Sequence, residues 1–531
     1  MPVWTQNYDP FGNPLLSTVA AALPVVSLFY LLAVQKVAAW KAAVASFAIA
    51  LALAWLLFGM PAPMVAGAVG HGFVYAIVRI IWTLLAAVFV YEVAVESGQF
   101  ETIKASIGNI TDDKRLQVLL VAYAFGAVLE GAGGGGAPVA ICGAMMVGLG
   151  FKPFEAAVLC LIANTAPVAF GGMGNPIRTL VAVTGLPEMQ LSATVGRILP
   201  FTALILPFWL IRVQTDWKRT FEVWPGLIAC GGFFGCVQFF WSNYVDAALV
   251  DIMGGMLTLV WLALFFRWWR PGSAPALGAR KVIVAWSPFL LLAVLVVLWG
   301  LPSFKAIVDA PTWRTPVPGL HNLVQRVAPV VAEPHTEPAL FDIAWLSAVG
   351  TPTFFAGLMA GPLLGLSFRR TIAVFVRTCV RMRYSFLAIL AMLGLGFITR
   401  YSGMDAVMGL ALSHTGWLFP FFGTLIGWLG VALTGTDAGS NALFGSLQVI
   451  TANKVGVSPV LMAAANSAGG VMGKMIDAQS IIVGCVATGI EGQEGDLFRA
   501  VLKHSIALAA IVAAIVMLYA YVIPGIVPGP Q

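Results

Sequence analysis

Two carboxyl side chains stand where the chain is otherwise apolar, and such groups can bind and release protons. Glu130 is the only charged residue in 116–151, and Asp437 is the only one in 406–453. An ionised carboxylate is costly in apolar surroundings, so a carboxyl group there readily takes up a proton. We therefore predict that Asp437, or Glu130, is a functional group that binds and releases a proton. The alternatives are that Asp437 caps a helix and that Glu130 lies near the end of its apolar segment.

Both carboxyl groups adjoin glycine-rich segments that break the helical pattern. Glu130 precedes GAGGGGAP at 131–138, and Asp437 lies within TGTDAGSN at 434–441. Glycine and proline open the backbone, and the free amides at a helix start attract anions. The pattern predicts interrupted or re-entrant helices that line a binding site. The residues predicted to contact a substrate in these two segments are Gly134, Gly135, Ser440 and Asn441.

Two further polar pairs stand at matched places in the two halves of the chain. Asn164 and Thr165 precede a glycine cluster, and Asn466 and Ser467 precede another. Their side chains offer hydrogen-bond donors and acceptors to a solute or an ion. The alternative is that each pair makes hydrogen bonds within the protein core.

A basic residue follows each pair, which favours an anionic substrate. Arg178 follows the first pair, and Lys474 follows the second. When the two halves are aligned, the two basic residues lie within a few positions of each other. Lys474 and Asp477 are three residues apart and so share a helix face. The two possibilities for Lys474 are that it binds a substrate carboxylate or that it neutralises Asp477.

The composition places these residues in an integral membrane protein. The chain has 531 residues, of which 60% are hydrophobic and only 10% are charged. Apolar stretches long enough to span a bilayer, roughly 20 residues each, predict an all-α protein with about twelve spanning helices. Its net charge of +6 is scattered over short loops, so we expect lipid and a small solute as partners and no nucleic acid. The six cysteines lack C-x-x-C spacing, and we expect no metal and no cofactor.

The two halves of the sequence repeat each other. NTAPVAFGGMGN at 164–175 aligns with NSAGGVMGKMID at 466–477, and neighbouring matches share an offset of 302 to 306 residues. Basic loops place Ser97-Gly98 on the cytoplasmic side and the equivalent Ser402-Gly403 on the external side. Equivalent residues on opposite faces predict two inverted-topology repeats, an internal symmetry of many secondary transporters.

This repeat divides the chain into seven predicted units. They are N-terminal scaffold helices (1–70), a first inverted repeat with broken-helix site segments (71–190), scaffold helices (191–301), an external proline-rich loop (302–340), a scaffold helix with a cytoplasmic basic segment (341–384), a second inverted repeat (385–492) and a C-terminal helix (493–531).

The sequence resembles one known family nearly from end to end, the bacterial L-lactate (2-hydroxymonocarboxylate) permeases. The similar segments include AVFVYEVAVESGQF, LEGAGGGGAPVA, GWLGVALTGTDAGSNALFGSLQ and GKMIDAQSI. The resemblance implies import of L-lactate, with D-lactate and glycolate as related substrates and protons as the coupling ion. It also implies a multi-pass protein of the bacterial inner membrane. The chain differs from the family pattern within 133–136, at Asp477 and at Arg178.

We therefore expect proton-coupled symport by alternating access, with both termini external. A sodium-coupled carboxylate carrier, a permease for a different small organic anion and a passive channel stay open as alternatives. A membrane enzyme is disfavoured because the chain lacks H-E-x-x-H and G-x-S-x-G motifs. ATP-driven transport is disfavoured because AGGVMGKM is not a complete P-loop. The sequence does not determine the oligomeric state.

Overall fold

The computed structural model describes residues 2–31, 35, 37–132, 136–270, 278–300, 302–331, 333–348 and 350–528, and these are mostly helical. The chain begins with four helices, of which the first two pack against each other. A short π-helical segment at Ala76–Ile81 joins the third and fourth into one long helix. The first four helices are α1 (Pro14–Phe29), α2 (Ala39–Leu56), α3 (Ala62–Tyr75) and α4 (Trp82–Glu96).

The following helices carry the first set of predicted site residues. A π-helical segment, Leu119–Phe125, and a 3-10 turn, Val168–Phe170, connect some of them. The helices are α5 (Gln99–Gly108), α6 (Lys114–Val118), α7 (Gly126–Ala132), α8 (Ala137–Gly148), α9 (Pro153–Ala163), α10 (Gly171–Thr184) and α11 (Glu188–Gln214).

A middle group of helices separates the two repeats. It comprises α12 (Trp217–Phe221), α13 (Trp224–Tyr244), α14 (Val250–Trp269), α15 (Ala279–Gly300), α16 (Pro302–Asp309) and α17 (Gly350–Leu363). The last group carries the second set of site residues. It comprises α18 (Phe368–Ser402), α19 (Met404–Leu412), α20 (Phe419–Thr434), α21 (Asp437–Val455), α22 (Pro459–Gly473), α23 (Ala478–Thr488) and α24 (Glu494–Tyr521).

The helices confirm an all-α membrane protein. Within the described residues, nine helices are long and apolar enough to cross a bilayer, and there are up to eleven if each of two bent pairs counts as one span. The prediction was about twelve. The difference arises mainly at the start of the chain, where α1 and α2 are shorter apolar helices. The 16 residues of α1 extend about 24 Å, which is less than the hydrocarbon thickness.

The two bent pairs are the interrupted helices that the glycine clusters predict. The pair α9 and α10 bends by 60°, and α22 with its 3-10 extension bends by 40° against α23. In the first pair, Gly172, Met173 and Gly174 all adopt left-handed backbone conformations. Glycine accepts this conformation without strain, whereas Met173 at φ 60° does not. The chain thus leaves and re-enters helix within the membrane-spanning part of the protein.

Helices of the two halves interlock at equivalent places. Helix α10 packs on α21, and α23 packs on α8. The sequence repeat aligns α10 with α23 and α8 with α21. In each contact, the equivalent of α10 from one half therefore packs on the equivalent of α8 from the other half. This packing brings the glycine breaks of both halves into one interior.

One end of the molecule collects basic residues from distant parts of the chain. The start of α18 lies beside the end of α4, and the ends of α11, α13 and α14 meet the loop before α6. The contacts that define this basic end are Arg370 and Arg377 with Glu96 (2.8 and 2.7 Å), Arg115 with Glu222 (2.9 Å), Arg270 with Asp113 (2.9 Å) and Lys114 with the carbonyl of Gly150.

The proline-rich segment after α16 is folded rather than irregular. Strand β1 (Trp4–Thr5) pairs in parallel with β3 (Val324–Arg326), which pairs antiparallel with β4 (His335–Thr336). Strands β2 (Trp313–Pro316) and β5 (Leu340–Ile343) form an antiparallel pair. The N-terminus supplies one strand, a partner more than 300 residues away that local sequence does not reveal.

A buried carboxylate ties this segment to α18. Glu337 is 5% exposed and lies 2.9 Å from both Arg326 and Arg400. Burial raises the pKa of Glu337, but the charges of Arg400 and Arg326 outweigh burial and hold this pKa below its ordinary value. The ion pairs therefore contribute stability above the ordinary pKa of about 4.5, and this contribution is lost as the pH falls through the lower folded-state pKa.

Glu337→Gln is expected to lower the melting temperature at pH 7 by several degrees, because it leaves two arginines without their carboxylate. The variant should also lose less stability than the unmodified protein when the pH falls below about 4.5. Thermal unfolding of the detergent-solubilised protein at a series of pH values measures both effects. Glu333→Gln, at an exposed position of the same segment, is the matched control. Equal melting curves for Glu337→Gln and Glu333→Gln would contradict the assignment.

Candidate functional site

Asp437 lies at the start of α21 with its carboxyl group in the protein interior. It is 2% exposed, and its Oδ2 accepts hydrogen bonds from the Ser467 hydroxyl and from Asn441 Nδ2 at 3.4 Å. Oδ1 has no hydrogen-bond partner among the described residues. The helix is capped by Thr436, whose hydroxyl accepts from the amide of Gly439 at 3.0 Å. Capping therefore does not account for Asp437.

Asn466 links this carboxyl group to a wider amide and hydroxyl network. Its Nδ2 donates to Asn441 Oδ1 at 2.9 Å and to Ser440 Oγ at 3.3 Å, and its Oδ1 accepts from Gln448 at 3.0 Å. Asn441 also donates to the carbonyl of Pro176 at 3.1 Å, which reaches α10 of the first half. The network joins Ser440, Asn441 and Asn466, three of the residues predicted to contact a substrate. It adds Gln448, which the sequence analysis missed.

Gln448 carries a weak signal in the sequence. It lies seven residues after Asn441, which places both side chains on one face of α21. A buried glutamine on a membrane helix needs a hydrogen-bond partner, and its amide also donates to the carbonyl of Gly423 at 2.7 Å. The partners of Gln448 lie on α20 and α22, so its place in the network depends on how those helices pack and cannot be predicted from the sequence.

Lys474 is the buried cation of the site. Its side chain is 3% exposed, its Nζ lies 3.1 Å from Asp477 Oδ2, and it donates to the carbonyl of Gly435 at 2.7 Å. The other oxygen of Asp477 caps α23 through the amide of Ser480 at 2.8 Å. The charge of Lys474 also acts on the carboxyl groups of Glu130 and Asp437. The predicted pairing with Asp477 is present, and Lys474 faces carboxyl groups from both halves.

Glu130 and Asn164 form the first-half counterpart. Glu130 is 4% exposed near the end of α7, with Oε2 unpaired among the described residues. A Cβ atom on Gly171 would lie 2.8 Å from its other oxygen, so only glycine fits there. Asn164 lies beside Glu130, is 2% exposed, and neither of its amide atoms makes a hydrogen bond of normal geometry with a described residue. Thr165 donates to the carbonyl of Ile162 at 2.8 Å, within its own helix.

Two predicted residues, Gly134 and Gly135, lie outside the described residues. Arg178 is described, and its guanidinium lies away from the Asp437 network. It lies 3.5 Å from Glu188 and 3.6 Å from Asp246, and it donates to the carbonyl of Met173 at 2.6 Å. The bond to Met173 holds the left-handed turn within α10, and these contacts favour a structural interpretation of Arg178 over substrate binding.

The site combines an excess of carboxyl groups with a single ammonium group. Asp477 pairs with Lys474, whose charge also acts on Glu130 and Asp437, and all four residues are at most 4% exposed. Among the described residues, no group of three or more His, Cys, Asp or Glu could hold a metal ion. Amides, hydroxyls and one cation suit a small hydroxylated anion, and the unpaired carboxyl oxygens suit protons.

The chain matches known proteins over nearly its whole length. A family profile described as L-lactate permease matches residues 17–523. Glycolate permease GlcA of Escherichia coli (strain K12) is 44% identical, over 99% of both chains. The L-lactate permeases of Escherichia coli (strain K12) and Bacillus subtilis (strain 168) are 43% and 39% identical, over 99% of this chain and 100% of theirs.

Among solved structures, the YdaH transporter of Alcanivorax borkumensis matches 85% of this chain and 87% of its own, with a TM-score of 0.44 at 15% identity. That likeness is distant. The family match and the relatives, in contrast, extend over nearly the whole chain. This multi-pass membrane protein is a permease rather than an enzyme, and it belongs to the L-lactate permease family.

Proposed function

We propose that this protein imports L-lactate and related 2-hydroxymonocarboxylates, including D-lactate and glycolate, together with protons across the bacterial inner membrane. The observation that carries the proposal is the excess of carboxyl groups around Lys474. If Glu130, Asp437 and Asp477 were all ionised, a substrate anion would enter a site that is already negative. Protonation of Asp437 or Glu130 removes this repulsion, so anion and proton binding favour each other.

The polar groups of the site match the two ends of a 2-hydroxy acid. Lys474 supplies the positive charge for the carboxylate, together with backbone amides at the broken helices. Asn164, Ser440, Asn441, Asn466 and Ser467 supply donors and acceptors for the 2-hydroxyl group. The names of the glycolate and L-lactate permeases that resemble this chain support this substrate class.

Alternating access fits an inverted relation between the repeats. Gly98 follows α4 at the basic end, where Glu96 meets α18. The equivalent Gly403 ends α18 at the opposite end, where Gln6 donates to the carbonyl of Arg400 at 2.9 Å. These contacts support the inverted arrangement. With the basic end in the cytoplasm, both termini are external.

Counterflow of labelled L-lactate in proteoliposomes tests the substrate class. Unlabelled L-lactate, D-lactate and glycolate should compete for exchange. Propionate, which lacks the 2-hydroxyl group, should compete at least about tenfold less well, because it leaves buried polar groups unpaired. Absence of counterflow, or equal competition by propionate, would overturn the proposed substrate class.

A further inference from the structure

A second buried carboxyl group lies against the first-half site on a helix outside the two repeats. Asp251 is on α14, it is 0% exposed, and neither of its oxygens has a hydrogen-bond partner among the described residues. The sequence analysis assigned the 191–301 segment to a scaffold and did not single out this residue. A buried carboxyl group without a partner on a membrane helix indicates a function.

Glycines bring α14 and α7 unusually close together. A Cβ atom on Gly131 would lie 2.9 Å from Asp251 Cβ, and one on Gly255 would lie 2.7 Å from the carbonyl oxygen of Ala124. Glu130 directly precedes Gly131, and its charge acts on Asp251. The close approach of the two helices therefore places the buried Asp251 against the residue that follows Glu130, close enough for the charge of Glu130 to act on it.

A capping role does not account for Asp251. It stands in the first turn of α14, where a carboxylate can accept hydrogen bonds from helix amides. The neighbouring Asp246 caps the 3-10 turn Ala247–Leu249 that leads into α14, since its Oδ1 accepts from the amide of Ala248 at 2.7 Å. Asp251 makes no such bond to a described residue.

A third polar group points to a ligand between the helices. Asn164 lies beside Glu130 and is 2% exposed, with neither amide atom in a hydrogen bond of normal geometry to a described residue. Buried polar groups are nearly always hydrogen-bonded. The oxygens of Glu130 and Asp251 that have no hydrogen-bond partner among the described residues lie next to this amide, and a bound proton with the hydrogen bonds that it makes can satisfy them.

We propose that Glu130 and Asp251 form a carboxyl pair that binds one transported proton. This inference rests on the proposed proton symport. Two adjacent carboxylates repel each other in an apolar interior, and one shared proton removes that repulsion and leaves a single negative charge on the pair. Glu130 lies in the first repeat and Asp251 lies in the scaffold helices of the 191–301 segment, so the pair also connects the repeat with the scaffold.

The elements packed against α14 carry several other charged and titratable groups. Arg178 on α10 pairs with Asp246 and Glu188, and Tyr123 before α7 donates to the carbonyl of Ala203 at 2.9 Å. Lys474 reaches Glu130 from the second half. The remaining groups on the packed helices α13 and α15 are Cys230, Cys236, Tyr244, Arg280 and Lys281.

Asp251→Asn tests the pair in proteoliposomes. Labelled lactate reports lactate uptake, and a pH-sensitive dye trapped inside the vesicles reports proton uptake in the same experiment. We expect accumulation driven by a proton gradient to fall at least about tenfold, with counterflow of lactate still measurable. Thr258→Val is the control, since Thr258 is a buried polar residue two turns further along the same helix. It should accumulate lactate like the unmodified protein.

Further variants keep the inference falsifiable. Asp251→Glu retains a carboxyl group and should retain accumulation with an altered pH dependence, which gives a readout if Asp251→Asn does not fold. Glu130→Gln combined with Asp251→Asn should accumulate no less than Glu130→Gln alone, because both residues hold the same proton. The proposed carboxyl pair would be overturned if Asp251→Asn accumulated lactate fully, or if a correctly folded Asp251→Glu variant lost accumulation. Failure of the unmodified protein to couple protons would instead overturn the proposed function.

Discussion

Lys474→Met is expected to reduce lactate uptake at least about a hundredfold. Lys474 is the only ammonium group among three buried carboxyl groups, and it lies 3.1 Å from Asp477. Truncating one partner of a buried charge pair between protein and ligand costs about 2–5 kcal/mol of binding free energy, and each 1.4 kcal/mol is about tenfold in affinity. The substrate carboxylate would also lose its cation. Initial rates of labelled lactate uptake in proteoliposomes measure the effect.

The double variant Lys474→Met with Asp477→Asn separates the two interpretations of this lysine. Asparagine can still cap α23 in place of Asp477, and the double variant no longer contains an unpaired charge at this place. We expect it to recover the melting temperature of the unmodified protein without recovering uptake. Recovery of uptake as well would show that Lys474 only neutralises Asp477, and it would contradict substrate binding by this residue.

Asp437→Asn is expected to abolish accumulation of lactate above equilibrium while counterflow continues at a reduced rate. An asparagine can keep a hydrogen bond with Ser467 and Asn441, but it cannot take up and release the coupling proton. Accumulation under an inward proton gradient and counterflow without a gradient measure the two activities separately.

Asp405→Asn is the matched control for this substitution. Asp405 is also a buried aspartate of the second half, 1% exposed, but it lies on α19 and accepts from the amide of Ala406 at 2.7 Å. It should leave accumulation in place. Continued accumulation by Asp437→Asn, or equal loss in both variants, would contradict the assignment of Asp437 as a proton carrier.

The parts of the site that sequence predicts are those set by local chemistry. Glycine clusters and isolated charges identify the broken helices and the positions of Asp437, Glu130 and Lys474, because glycine adopts left-handed conformations without strain and a charge inside a membrane protein needs a partner. The alignment of the halves then brings Asn466 and Ser467 into the same site.

The parts that sequence misses depend on tertiary packing. Asp251 lies close to Glu130 only because α14 packs against Gly131, and the hydrogen-bond partners of Gln448 lie on α20 and α22. Arg178 was predicted to bind substrate, but Glu188 and Asp246 lie beside it. The proline-rich segment was predicted as a loop, but it contains paired strands, one of which also pairs with the strand near the N-terminus. The inverted orientation of the repeats stays a prediction.

Uptake of labelled L-lactate into proteoliposomes, with an inward proton gradient and no sodium, tests the central claim most directly. We predict accumulation above equilibrium that collapses with a protonophore and is competed by glycolate. Accumulation only when sodium is supplied would contradict proton coupling and identify a sodium-coupled carrier. Flux that never exceeds equilibrium under either gradient would contradict active transport altogether.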